Sequence, residues 1–206
     1  MNETGRHTHW QNVYATKAEN EVSWYQENPA SSLDLVAATG VPSDAAIIDV
    51  GGGASRLVDC LLDKGFRRVA VLDLSENALG EAKTRLGRRA DAVDWIVADV
   101  TTWEPSRTYD LWHDRAAFHF LTEPADREAY VVRLKRAVHH GGHVIIATFA
   151  PDGPERCSGL PIVRYDPDAL ARMLGRDFEL VDSRRHDHLT PSGNTQHFQF
   201  SRFLRN

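Results

Sequence analysis

Two cysteines in 206 residues, Cys60 and Cys157, are too few for a disulfide framework. Long apolar runs are missing too: none approaches the roughly 20 residues that cross a bilayer, so no membrane partner is expected. The opening MNETGRHTHWQNVY lacks the apolar stretch of a secretory signal, and a cytoplasmic location is the expectation. Positive charge is not in excess. With 24 basic and 29 acidic residues the net charge is −5, which offers no field to nucleic acid, and none is expected as a partner. There is no low-complexity tract, internal repeat or linker. What remains is 42% hydrophobic and 26% charged, an ordinary composition for one globular domain.

Apolar runs ending in turn residues alternate with helical patterns. Ala45–Val50 reads as a buried strand feeding Gly51-Gly52-Gly53, and Ser55–Lys64 as a helix stopped by Gly65. Val69–Leu72 is a second strand, and Ser75 caps a helix whose apolar face is Ala78, Leu79, Ala82 and Leu86. Strands follow at Trp95–Ala98 and Tyr109–His113. Next comes a helix opened by Pro124, burying Tyr130, Val131, Leu134 and Val138, and then a fifth strand at Val144–Phe149. Asp166-Pro167 opens a short helix to Leu174. Phe178–Ser183 and Gln196–Phe203 then form an antiparallel hairpin around Thr190–Asn194. Residues 1–40 read as an aromatic lead-in with a short helix opened by Ser31-Ser32 and packed through Leu33, Val36 and Ala37. They belong to the same domain as residues 41–206. The alternation implies an α/β fold with a mostly parallel sheet covered on both faces.

In such sheets ligands bind beyond the carboxyl ends of the strands. That rule selects Gly51–Ser55, Asp73, Asp99, His113–Arg115 and the loop after Phe149. Glycines let backbone approach a ligand closely, and ionised Asp73 only accepts hydrogen bonds, which suits ribose hydroxyls. Asp99 suits an exocyclic amine such as that of adenine, or caps a turn. Arg56 stands where a dinucleotide fingerprint needs its last glycine, which counts against NAD.

Asp49-Val50-Gly51-Gly52-Gly53-Ala54-Ser55 resembles the first motif of class I S-adenosylmethionine-dependent methyltransferases, with Ser55 in place of a third glycine. Val71–Ser75 is similar to the second motif, in which Asp73 would hold ribose and Leu74 pack on adenine. Val97-Ala98-Asp99-Val100 resembles the adenine motif, and Tyr109–Asp114 the fourth strand. The lead-in His9-Trp10-x-x-Val13-Tyr14, Cys157–Leu160 and Thr190–Gly193 resemble a subgroup of small bacterial members. The resemblance implies a three-layer Rossmann-like fold, a seven-stranded sheet with a final antiparallel strand, and S-adenosylmethionine as cofactor. It implies cofactor contacts from Asp49, Gly51, Gly52, Gly53, Ser55, Asp73, Leu74, Ser75, Asp99, Val100, Asp114 and Arg115.

Methyl transfer from a sulfonium works largely through alignment, so a base is needed only for an acceptor atom that must lose a proton early. His113, Asp114 and His119 are the catalytic candidates by position. His119 between two phenylalanines also reads as packing, and Asp114 as a cap. Arg115 has a choice between a cofactor carboxylate and Asp114. Trp10 and Tyr14 are read as part of a lid over the cofactor. Trp24, Tyr25, Cys157, Leu160 and Tyr165 are read as the acceptor side. The acceptor is expected to be a small molecule; the alternatives are a protein lysine or a cofactor-binding module without catalysis. His186, His188 and His197 raise a metal reading, which is not adopted because sheet surfaces often carry histidine.

Overall fold

The computed structural model describes residues 3–206. Strands β1 (Ala46–Val50), β2 (Arg68–Asp73), β3 (Val93–Val97), β4 (Tyr109–Arg115) and β5 (Val138–Phe149) run parallel, with β3-β2-β1-β4-β5 as their order. Beyond β5 lie β9 (Thr195–Arg205), antiparallel to it, and β8 (Phe178–Leu189) at the edge. They complete a seven-stranded sheet. A separate short hairpin, β6 (Arg156–Cys157) with β7 (Leu160–Pro161), lies between β5 and β8 in the chain.

Successive strand residues point to opposite faces, and the central strands are buried on both. Ile47, Val69, Val71, Leu111 and Ile145 pack against α2 (Ala30–Thr39), α3 (Leu57–Asp63) and α4 (Glu76–Leu86). Ile48, Val50, Leu72, Trp112 and Ile146 pack against α5 (Pro124–Ala137) and α6 (Pro167–Leu174). Each fully buried Ile or Leu contributes roughly 1.5–3 kcal/mol, so both faces are stably covered. Helix starts follow local chemistry. The Ser75 hydroxyl accepts from Ala78 N at 3.2 Å, Asp166 accepts from Ala169 N at 2.6 Å, and Pro124 and Pro167 occupy first-turn positions.

Some boundaries differ from the sequence reading. The lead-in forms a 14-residue helix, α1 (Glu3–Thr16), which has no apolar stripe to betray it. Helix α2 begins at Ala30 and buries Ser32, Leu35 and Val36, while Ala37 faces solvent. Strand β5 begins at Val138, directly after α5, because Val138 already pairs with Tyr109; the register then shifts before Leu111 pairs with His143. Strand β3 starts at Val93 and β8 runs on to Leu189. No helix among the described residues is long and apolar enough to cross a membrane.

Candidate functional site

The carboxyl ends of β1, β2 and β4 surround the glycine loop. Gly51 has φ +68°, and its amide donates to Leu72 O at 2.7 Å. A Cβ there would stand 2.5 Å from Ala117 Cβ; one at Gly53, with φ +40°, would stand 2.9 Å from Asp73 Oδ2. Any side chain would therefore fill the cradle, and glycine also tolerates the left-handed backbone. Ala116 opposite adopts φ +69°, a strained conformation of the kind that collects at functional sites.

Asp73 ends β2 and is buried. Its Oδ1 accepts from Ser75 N at 2.7 Å. Burial pushes its pKa up to about 7, aided by nearby Asp49 and opposed by the amides of Ser75, Leu74 and Gly53. Asp99 is also buried but more fully engaged. Thr101 donates to Oδ1 from its amide at 2.8 Å and its hydroxyl at 2.7 Å, and Arg6 donates to Oδ2 at 2.8 Å. Burial raises its pKa, but the Thr101 and Arg6 bonds outweigh that and hold it below the usual range.

Asp49 and His113 are paired positions on β1 and β4, so their side chains meet on one face. Nδ1 of His113 lies 2.7 Å from Asp49 Oδ1, and its Nε2 lies 2.9 Å from Ser32 Oγ. Asp114, one residue on, faces the other layer. It accepts from Ala117 N at 2.9 Å, from Phe118 N at 3.1 Å and from the Tyr130 hydroxyl at 2.8 Å, and burial lifts its pKa to about 6. Arg115 returns to the His113 face. It donates from Nη1 to Trp24 O at 2.9 Å and lies 4.6 Å over the Phe198 ring, with no ion pair to Asp114.

Helix α1 closes the front. Arg6 bridges Asp99 and Asp126, and Gln11 Oε1 accepts from Ser75 Oγ at 2.6 Å and Asn77 N at 3.0 Å. Trp10 packs edge-on against Trp24 and Phe120, and the Tyr14 hydroxyl accepts from Trp24 Nε1 at 3.2 Å. Burial, then Asp73, push the Tyr14 pKa up, so it stays protonated.

Trp10, Tyr14, Trp24, Asp73, Leu74, Asp99, Val100, Arg115 and Cys157 thus border one cleft of about 790 Å³, counting its open mouth. Asp49, Gly52, Ser55, Tyr25 and His113 border an adjoining hollow of about 580 Å³ that shares Tyr14, Trp24, Gly51 and Arg115. An acidic residue at a strand end, a glycine cradle and apolar walls fit a nucleoside carrying a charged tail. Gly53 and Ser75 line neither hollow; the Ser75 amide instead fixes the Asp73 carboxyl.

Other candidates are not brought to the cleft. Asp114 fastens the turn after β4. Tyr165 packs on Phe118 in the α5-side core, and Leu160 is outside both hollows. His119 is sealed between Phe120 and Phe149; burial, then Arg115, push its pKa down to about 3. His197 pairs with Asp187, on the opposite face of the hairpin from His186 and His188, so the three do not converge. No group of metal-binding side chains occurs among the described residues. The sequence reading missed Arg6, Gln11 and Ser32, polar residues whose roles depend on distant partners. It also missed Ala116 and Ala117, which line the cleft through backbone and Cβ.

Residues 47–142 match the family described as a methyltransferase domain. Over 118 residues the chain is 28% identical to a malonyl-[acyl-carrier protein] O-methyltransferase of a Paenibacillus species, covering 55% of this chain and 42% of that one. It is also 28% identical to thiocyanate methyltransferase 1 of Arabidopsis thaliana, covering 62% and 56%. A trans-aconitate 2-methyltransferase of Rhizobium rhizogenes is again 28% identical, covering 67% and 51%. The chain spans about half the length of these relatives. Among solved structures, an S-adenosylmethionine-dependent methyltransferase from Anabaena variabilis superposes with a TM-score of 0.77 at 15% identity, covering 100% of this chain and 96% of that one. The 1,6-didemethyltoxoflavin-N1-methyltransferase of Burkholderia thailandensis, solved with its acceptor and S-adenosylhomocysteine, gives 0.73 at 22% identity, covering 98% and 85%. Residues 47–142 thus match a methyltransferase-domain family, and the strand order and glycine cradle give the chain the Rossmann-like fold that these methyltransferase structures share.

Proposed function

We propose that the chain transfers a methyl group from S-adenosylmethionine to a small-molecule acceptor. The observation that carries this reading is the placement of Asp73 beside a glycine loop too tight for any side chain, at the carboxyl edge of the parallel strands. Asp73 would accept from the ribose hydroxyls, Leu74 and Val100 would flank the adenine ring, and the Gly51–Gly53 loop would lie along the amino-acid end. Asp99 would face the adenine side, and it also fastens α1 through Arg6. Trp10 and Tyr14 would exclude water, and Trp24, Tyr25 and Cys157 would border the acceptor.

Bound S-adenosylmethionine supplies an electrophilic methyl on a sulfonium sulfur. The chain's contribution is alignment, since holding two partners at attack distance removes much of the barrier. His113 is held between Asp49 and Ser32, Asp114 is tied to its turn, and buried His119 stays neutral. Their engagement supports an acceptor whose attacking atom needs no protein base. The three relatives named above act, by name, on malonyl, thiocyanate and trans-aconitate groups. All are small anions or carry one, and carboxylates and thiocyanate attack without losing a proton. This favours a metabolite over a protein lysine, which must be deprotonated first. Residues 1–40 act in this reading as a cover belonging to the same domain, and the reaction is placed in the cytoplasm, without nucleic acid.

Parallel calorimetric titrations with S-adenosylhomocysteine and NAD test the cofactor. Binding of the first alone, near micromolar, is expected; binding of NAD alone, or of neither, would overturn the reading.

A further inference from the structure

Arg115 is a cation without a counter-ion. Among the described residues no carboxylate lies within ion-pairing distance of it, and its Nε and Nη2 are buried with no hydrogen-bond partner. Most of the titratable groups around it are neutral. Burial, then Arg115, push His119, His186 and His188 down, His119 to about 3 and His188 to about 4, so all are neutral at pH 7. Burial keeps the Cys157 thiol protonated, its pKa pushed up to about 11. Asp49, the acid nearest in influence, is held by His113. Burial lowers Arg115 itself only to about 10, which leaves it charged.

The geometry of the unsatisfied atoms is specific. Nη1 is taken by Trp24 O and the guanidinium plane rests on Phe198. That leaves free the Nε–Nη2 edge, two parallel donors spaced to grip both oxygens of a carboxylate. The residue stands where the cleft and the adjoining hollow meet. A buried charge left unpaired is costly, so the site is poised for an anion.

We propose that Arg115 is the receptor for a carboxylate brought by a small molecule bound at this junction. This rests on the methyltransferase reading above. The carboxylate belongs either to the acceptor or to the amino-acid end of the cofactor, and the two are separable. Binding of S-adenosylhomocysteine, of methylthioadenosine (which lacks the amino-acid end), and of trans-aconitate or malonate is measured by calorimetry. The carboxylates are tested with and without S-adenosylhomocysteine, against wild type, Arg115→Gln and Arg115→Lys. Loss of a charge-assisted bidentate contact should weaken the carboxylate ligand about ten- to a hundredfold.

If Arg115→Gln weakens S-adenosylhomocysteine and spares methylthioadenosine, the carboxylate is the cofactor's. If both nucleosides bind as in wild type but trans-aconitate or malonate is weakened, it is the acceptor's. In either case Arg115→Lys should recover only part of the loss, because it keeps the charge without the fork. Unchanged methylthioadenosine binding shows that the variants are folded. The proposal is overturned if no carboxylate ligand distinguishes wild type from Arg115→Gln, or if all ligands weaken alike. A wild type that binds neither nucleoside sinks the cofactor reading separately, and the carboxylates alone then decide Arg115.

Discussion

Asp73 is a buried acid whose useful form is the ionised one. Its carboxyl holds a proton up to about pH 7 because burial disfavours the charge. Only the carboxylate accepts from two hydroxyls, so ribose binding should strengthen as pH rises through about 7 and weaken below it. By linkage, the bound nucleoside lowers the pKa of Asp73. Calorimetry of S-adenosylhomocysteine between pH 5.5 and 8.5, roughly one and a half units either side of that midpoint, should show this rise. Asp73→Asn should cost about ten- to a hundredfold in affinity and flatten the profile. A wild-type profile already flat across that range would contradict the role. Asp73, with Asp49 and the glycines, was legible in the sequence because each ends an apolar run. His113, Asp114 and Arg115 were less so. Their alternation on a strand separates Asp114 from its neighbours, yet the sequence does not say which face the ligand takes.

At the scale of elements, α1 is fastened to the cleft by polar contacts rather than by an apolar stripe. Arg6 joins it to Asp99 and Asp126, and Gln11 joins it to the start of α4. That is why the lead-in showed aromatics but no helical period. The helices that pack apolar faces, α4 and α6, were readable nearly to the residue, caps included. If α1 covers the cofactor as proposed, it must move to admit it, and these bonds then set how readily it does. Arg6→Ala removes a partly buried double ion pair, so it should speed release of S-adenosylhomocysteine more than it slows binding. About tenfold faster dissociation in stopped flow is expected, corresponding to roughly 1.4 kcal/mol. Unchanged release would mean that α1 is not a cover.

For the molecule as a whole, the order of strands and helices was accessible from sequence because buried parallel strands read as short apolar runs between helical periods. The terminal hairpin was accessible because two strands flank a turn rich in Pro and Gly. Its full length was not: the outer half of β8 is polar and carries Arg184, Arg185 and His186 toward the edge. The cleft opens at the carboxyl edge of the sheet. There α1 and the β6–β7 hairpin meet, through His9 Nε2 and Ser158 Oγ at 3.4 Å. This enclosure favours a metabolite over a protein as acceptor. The most direct measurement is release of S-adenosylhomocysteine from methyl-labelled S-adenosylmethionine, with a cell extract split into small-molecule and protein fractions. Label should move into a small anion and release should depend on the small-molecule fraction. Transfer into the protein fraction alone, or no transfer with either, would contradict the account.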